Sequence, residues 1–180
     1  MRNAASNGNI VLVGPMGSGK SHVGRLLATR LGLGFADVDA GVEADAGMPI
    51  PAIFAREGEA GFRAREARIL AGILAGAGQV VATGGGAVLD PGSRAAIRAA
   101  GRVVYLQVGA AQQLQRIAGD RGRPLLAVAD PAARLAELQA LREPLYRGLA
   151  DLAFDTSTLS PEQVAEALAA LLVDHMEAHA

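Results

Sequence analysis

Apolar and polar positions along the chain predict strands and helices that follow one another in turn. Short apolar runs bounded by turn residues predict buried strands at residues 10–13, 35–38, 79–83, 102–108 and 152–155. Patterns with helical spacing predict helices at residues 20–31, 42–77 with a break near 47–51, 91–100, 110–118, 131–141 and 161–176. We expect Pro144 to prevent the helix that starts at residue 131 from continuing.

Strands that alternate with helices predict an α/β protein, in which a parallel sheet is covered by helices on both faces. Residues 10–176 are expected to form one domain, and the polar residues 1–9 a disordered extension. Residues 119–129 carry Gly, Pro and charged side chains, which predicts a loop. In sheets of this kind ligands bind beyond the carboxyl ends of the strands, so we expect the functional residues there.

The composition limits the classes of partner. The chain has 180 residues, of which 51% are hydrophobic, and its net charge of −1 provides no general attraction for nucleic acids or anionic membranes. Its four Phe and two Tyr residues are too few for a base-stacking platform. The absence of cysteine is consistent with a reducing cytoplasm. The polar residues 1–9 lack the apolar stretch of a signal peptide, and no apolar run has the length of a membrane span. We therefore expect a cytoplasmic protein, and we take it to be a monomer.

The segment between the first strand and the first helix matches the phosphate-binding pattern G-x-x-x-x-G-K-[ST] at Gly14, Gly19, Lys20 and Ser21. Glycines allow backbone N–H groups to approach phosphates, and the helix N-terminus adds positive partial charge. Lys20 is the only lysine of the chain, among 17 basic residues. It is expected to reach the β- and γ-phosphates of ATP, and the Ser21 hydroxyl to bind Mg²⁺. The residues assigned to nucleotide binding here are Gly14, Met16, Gly17, Ser18, Gly19, Lys20, Ser21 and His22.

Two acidic residues follow the second predicted strand. A guanine-reading Asn-Lys-x-Asp segment is absent because the single lysine is already used, and the third and fourth strands end at Thr83 and Val108 without an acid. Asp37 and Asp39 lie two residues apart, so in an extended chain their carboxylates would point the same way. One could serve Mg²⁺ while the other reaches a substrate hydroxyl. A solvated or helix-capping acidic pair is an equally good interpretation of this spacing.

An ordered set of motifs resembles the shikimate kinase family over nearly the whole chain. The matching segments are residues 14–21, 35–39, 53–63 together with Glu66, 84–88, 123–126 and 142–146. The resemblance implies a three-layer α/β/α P-loop kinase fold with a five-stranded parallel sheet, substrate-binding helices at about 40–77 and a mobile lid at about 119–129. It implies transfer of phosphate from ATP, with Mg²⁺, to the 3-hydroxyl of shikimate. Another small polar acceptor such as gluconate, or a non-catalytic ATP-binding module, stays as an alternative.

The resemblance also implies roles for individual residues. Arg63 and Arg142 match the arginines that bind the carboxylate of the substrate, and planar guanidinium groups suit such pairing. Asp39 matches the residue that holds the reacting hydroxyl, and Asp37 matches the acid that supports the Mg²⁺ shell. Lys20, Asp39 and the lid arginine Arg123 form the catalytic set. The other matches are the backbone of Gly84, Gly85 and Gly86 against the substrate, the pocket walls Phe54 and Phe62, Arg116 on the adenine, and Glu66 beside Arg63.

From the sequence alone several of these residues have simpler interpretations. Arg63 lies on a helix with Arg56, Arg65 and Arg68, and a charged run of this kind is usually a solvated face. Arg142 could cap its helix. The two phenylalanines could belong to the core, and Arg121 competes with Arg123 for the lid role. Burial and long-range contacts decide between these interpretations and the functional roles.

Overall fold

The computed structural model describes residues 8–118 and 124–177, so residues 1–7 of the predicted extension and 119–123 of the predicted lid lie outside the described part. Five parallel strands form one sheet in the order β2-β3-β1-β4-β5. The strands are β1 (Asn9–Val13), β2 (Gly34–Asp37), β3 (Gln79–Ala82), β4 (Gly101–Gln107) and β5 (Leu152–Asp155). The helices are α1 (Lys20–Leu31), α2 (Val38–Ala46), α3 (Ile50–Leu74), α4 (Pro91–Ala100), α5 (Ala110–Ile117), α6 (Pro131–Leu149) and α7 (Pro161–Glu177). The predicted α/β class and parallel sheet are confirmed.

The central strand β1 divides the core into two layers, because successive side chains of a strand point to opposite faces. Ile10 and Leu12 pack with residues of α1 and α7 on one face. Val11 and Val13 pack with residues of α2, α3, α4 and α6 on the other. All five side chains of β1 are buried, which is why the strand has no polar alternation in its apolar part. The three-layer arrangement follows from this double burial.

The predicted end of the sixth helix is wrong. Helix α6 continues past Pro144 to Leu149. Proline has no N–H, so the bond that residue 144 would make to the carbonyl of Ala140 is missing. The next turn nevertheless remains helical, and it carries Tyr146 and Leu149, both buried in the core. Burial of these two side chains outweighs the lost hydrogen bond.

The structure also corrects the segment that contains the acidic pair. Helix α2 begins at Val38 and not at residue 42, so Asp39 lies in a helical turn and the two acids do not share an extended chain. Asp37 is the N-cap of α2, and its Oδ1 accepts a hydrogen bond from the Ala40 N–H at 3.2 Å. The capping interpretation therefore holds for Asp37. Asp39 lies in the first turn of α2, so the helix and not a strand sets the direction of its side chain.

Two further boundaries differ from the predicted ones. Asn9, assigned to a disordered extension, is the buried first residue of β1, and its side chain bonds the Gly76 carbonyl and the Gln79 N–H. Within α3, Gly58 has φ 70° and ψ 179°, so the helix is kinked there. Phe54 precedes the kink and Phe62 follows it. The kink allows both rings to face the same pocket.

We expect Gly101→Ala to destabilise the fold, because a Cβ at this position would lie 2.0 Å from the Asn9 carbonyl oxygen of the neighbouring strand. The strands would have to separate, at a cost of about 1–3 kcal/mol in the free energy of unfolding. The control is Gly148→Ala in α6, where no atom lies within 4 Å of the new Cβ. It should be neutral or stabilising by up to about 1 kcal/mol. Urea unfolding of both variants checks the prediction, and equal stabilities would contradict it.

Candidate active site

The phosphate loop joins β1 to α1 at the carboxyl edge of the sheet. Gly14, Gly17 and Gly19 have φ of 145°, 77° and 90°, which favours glycine at all three positions. At Gly14 a Cβ would also lie 2.4 Å from the Leu106 carbonyl oxygen. Gly19 caps α1 without a side-chain bond, so the first N–H groups of the helix remain available to a ligand. The loop has the geometry of an anion-binding helix N-terminus.

The Lys20 side chain is folded back over this loop and is buried. Its Nζ donates to the carbonyl oxygens of Gly14 and Pro15, each at 2.8 Å, and to Ser18 Oγ at 3.3 Å. The ammonium therefore already lies where phosphate oxygens would meet the loop. A planar guanidinium is too wide for the same position.

A cleft of about 480 Å³, which we call the nucleotide cleft, extends from the phosphate loop. Ser21 and His22 are exposed along it, and Arg116 lies at its edge. The Arg116 guanidinium donates to the Gly17 carbonyl at 3.2 Å and to the Thr156 carbonyl at 2.6 Å. Thr156 is buried, and its hydroxyl donates to the Gln107 carbonyl at 2.9 Å. Thr156 was not predicted from the sequence, in which its only local signal is its position after the last strand.

A second, smaller cavity of about 100 Å³ lies beside the nucleotide cleft. We call it the acceptor pocket. The Phe54 and Phe62 rings line it with centroids 4.7 Å apart. It brings together residues from α2, α3, α6 and the loop after β3, which the sequence analysis had assigned to one site. Its lining residues are Met16, Asp39, Ile50, Phe54, Phe62, Arg63, Glu66, Gly84, Gly85, Gly86, Pro124, Leu125 and Arg142.

Arg63 is held in this pocket by several contacts. Its Nη1 donates to Glu66 Oε2 at 2.6 Å, and its guanidinium lies 5.1 Å from the Phe62 ring centroid. Glu66 is 2% exposed, so the carboxylate of this ion pair is protected from water. A Cβ on Gly86 would come within 2.4 Å of the Arg63 guanidinium, and one on Gly84 within 2.1 Å of Glu66 Oε1. Glycine at these positions leaves room for the ion pair.

Arg142 is a buried cation, only 3% exposed. Burial lowers the pKa of Arg142, the Tyr146 oxygen acts in the opposite direction, and Arg63 lowers this pKa further. Within residues 8–118 and 124–177, Arg142 has no salt bridge, and its Nε has no hydrogen-bond partner. Two arginines and two carboxylates, Asp39 and Glu66, border the acceptor pocket. Glu66 is paired with Arg63, so Arg142 is the buried cation that favours an anionic ligand.

Asp39 lies where the two cavities meet. Met16, Asp39 and Gly85 line both of them, and Asp39 Oδ1 is 3.0 Å from the position of a Cβ on Gly84. A group bound in either cavity can therefore approach the Asp39 carboxylate. Arg123 lies outside the described residues, and its lid role stays a prediction.

The oxygen atoms near the loop are suited to Mg²⁺, which prefers oxygen ligands and keeps several waters. The Ser21 hydroxyl is exposed in the nucleotide cleft. Asp37 lines neither cavity and spends one oxygen on the helix cap, which leaves the other for a water-mediated contact. In the part of the chain described, no three His, Cys, Asp or Glu side chains form a metal cluster. Ser21 and Asp37 each offer an oxygen of the kind that Mg²⁺ takes as a ligand, directly or through water.

A phosphate loop at the edge of a parallel sheet, with a second arginine-lined pocket that meets its cleft, defines a P-loop phosphotransferase. A family model described as shikimate kinase matches residues 16–172, and the chain belongs to the shikimate kinase family. A shikimate kinase of Stenotrophomonas maltophilia is 53% identical over 165 residues, which cover 92% of this chain and 90% of the relative. One of Pseudomonas syringae is 51% identical over 166 residues, which cover 92% and 96%.

Solved structures agree with this family. The shikimate kinase of Acinetobacter baumannii in complex with shikimate superposes with a TM-score of 0.91 at 42% identity, covering 93% of this chain and 94% of that one. A gluconokinase of Sinorhizobium meliloti has a TM-score of 0.60 at 23% identity, covering 95% and 96%, and this similarity shows the shared fold alone.

We expect Lys20→Arg to weaken nucleotide binding, because the wider guanidinium cannot occupy the space between the Gly14 and Pro15 carbonyls. The Kd for ADP should rise at least about tenfold, which corresponds to about 1.4 kcal/mol. The control is Arg30→Lys, an exposed exchange at the far end of the same helix, which should bind ADP normally. Calorimetric titration checks both variants, and unchanged ADP affinity in Lys20→Arg would contradict the role of the ammonium.

Proposed function

We propose that this protein transfers the γ-phosphoryl group of ATP to the 3-hydroxyl of shikimate, releasing ADP and shikimate 3-phosphate. This is a step of chorismate and aromatic amino acid biosynthesis. The observation that carries the proposal is the meeting of the phosphate-loop cleft and the arginine-lined acceptor pocket at Asp39. Family membership and the relative solved in complex with shikimate support it.

The acceptor pocket suits a small ring that bears a carboxylate and hydroxyls. We assign the substrate carboxylate to Arg63 and Arg142, because both guanidinium groups border the pocket. Arg63 is already paired with Glu66, whereas Arg142 has no salt bridge within the described chain and can accept a carboxylate as its partner. Phe54 and Phe62 would cover the apolar ring face. The backbone of Gly84, Gly85 and Gly86 lies close enough to meet hydroxyl groups, since these residues have no side chains.

The transfer itself depends on position and charge. The Asp39 carboxylate would accept the hydrogen bond of the reacting hydroxyl, which orients that oxygen toward the phosphate loop and can remove its proton. The loop N–H groups and Lys20 would hold the β- and γ-phosphates. Mg²⁺, held by Ser21 and through water by Asp37, would neutralise phosphate charge. Arg123 would add a further cation when the lid closes, which excludes water from the site.

The remaining sequence predictions are proposals of the same kind. We propose one kinase domain over residues 9–177, which adds the first residue of β1 and the last of α7 to the predicted range 10–176. We propose that it acts as a monomer in the cytoplasm. No helix in the described ranges is long and apolar enough to cross a membrane.

The purified protein should release ADP from Mg-ATP when shikimate is added. Gluconate is the test of the alternative acceptor, because it carries a carboxylate and hydroxyls without the ring. We expect a kcat/KM for shikimate at least about 100-fold above that for gluconate, a preference of about 2.7 kcal/mol in transition-state binding. A coupled ADP-release assay measures both acceptors. Absence of shikimate-dependent turnover, or a preference for gluconate, would contradict the proposed function.

Arg63→Ala tests the carboxylate assignment. We expect the KM for shikimate to rise by about 10- to 100-fold, since a charge-assisted pair contributes about 1.5–3 kcal/mol. The KM for ATP should remain unchanged, because Arg63 does not line the nucleotide cleft. The control is Arg68→Ala on the same helix, whose exposed side chain pairs with Asp45 away from the pocket. Equal shikimate KM values in the two variants would refute the assignment.

A further inference from the structure

Tyr146 connects α6 to the loop that follows β3. Its side chain is fully buried, and its hydroxyl donates a hydrogen bond to the Gly85 carbonyl. Gly85 borders both cavities, and Arg142 lies four residues before Tyr146 on the same helix face. One buried hydroxyl therefore bonds the loop after β3 directly and lies one helical turn from Arg142, which borders the same pocket from α6.

The chemistry of the two neighbours determines how this hydroxyl is used. The single hydroxyl proton of Tyr146 is directed to Gly85, and a guanidinium can only donate hydrogen bonds, so the oxygen lone pairs are what this hydroxyl offers to the nearby Arg142. Burial raises the pKa of Tyr146, and the nearby Arg142 acts against this. The hydroxyl therefore stays protonated at neutral pH and keeps its bond to the carbonyl.

We infer that Tyr146 is a positioning residue for the acceptor half of the site, whose hydroxyl sets the spacing between the Gly85 backbone and the Arg142 guanidinium. The inference rests on the proposed function, since it concerns how well shikimate is held. Tyr146 lines neither cavity, so it acts through its two neighbours and not by touching the substrate. The Lys20 contacts do not involve it, and nucleotide binding should depend on it less.

Tyr105 provides a matched control. Its ring stacks on that of Tyr146, with centroids 5.1 Å apart, and it is also buried. Its hydroxyl, however, accepts a hydrogen bond from Gln139 Nε2 at 3.3 Å and has no contact with Gly85. Tyr146→Phe and Tyr105→Phe each keep the ring and remove one buried hydroxyl. Tyr146→Phe therefore leaves the Gly85 carbonyl without its hydrogen-bond donor, whereas Tyr105→Phe leaves the Gln139 amide without its acceptor.

The experiment compares the two variants with the parent protein in steady-state kinetics. In Tyr146→Phe we expect the KM for shikimate to rise about five- to 20-fold, as for loss of one buried hydrogen bond. The KM for ATP and the Kd for ADP should change less than about twofold, and Tyr105→Phe should leave all three constants unchanged, each within the usual scatter of a neutral substitution. Thermal unfolding of both variants reports the loss of stability separately from the loss of binding.

Each outcome separates the possibilities. A selective rise in the shikimate KM of Tyr146→Phe supports the inference. An unchanged constant, an equal rise for ATP, or the same rise in Tyr105→Phe overturns it, because the hydroxyl would then be structural only. A parent protein without shikimate-dependent turnover would overturn the proposed function and this inference together, whereas an active parent with an unaffected Tyr146→Phe variant overturns this inference alone.

Discussion

The parallel pairing of β1 with β3 and β4 is the constraint on which the rest of the site depends. Leu12 accepts hydrogen bonds from both the N–H and the hydroxyl of Thr83, at 3.1 Å and 3.0 Å, just beyond the end of β3. On the other side, Gly14 lies so close to the Leu106 carbonyl that only glycine fits. The phosphate loop after β1 and the glycine segment after β3 therefore leave the sheet side by side. Nucleotide cleft and acceptor pocket share a wall for this reason.

The acceptor pocket contains a buried positive charge that no carboxylate of the described chain neutralises. Arg63 is paired with Glu66, while buried Arg142 faces the pocket without a carboxylate of its own in the described chain. Burying a cation is costly unless a partner is supplied. An anionic substrate would supply it, and the resulting bond would be strong because water is largely excluded. The same low polarity that lowers the pKa of Arg142 thus favours recognition of a carboxylate.

The phosphate loop, the order of the elements and the parallel sheet could be predicted from the sequence, because each depends on short-range patterns. Glycine spacing determines where a loop can turn, and continuous apolar runs determine which strands are buried. The resemblance of the motifs to those of a known family also predicted the residues of the acceptor site, and these residues do line one pocket. The predicted end of α6 at Pro144 failed because a local rule was overridden by the burial of Tyr146 and Leu149.

Only the tertiary structure distinguished residues that look alike in sequence. Arg63 and Arg68 lie on one charged helix, yet the Arg63 side chain is 23% exposed and faces the pocket, whereas that of Arg68 is 60% exposed and pairs with Asp45. Asp37 and Asp39 separate in the same way, one into a helix cap and the other to the junction of two cavities. Thr156 gave no sequence signal, and Tyr146 lies in the matching segment 142–146 without a predicted role, because their bonds reach residues that are far away along the chain. The sequence by itself determined the phosphate-binding loop and the α/β architecture. Which charges are buried, and what they face, is decided by long-range packing, since burial depends on the whole fold.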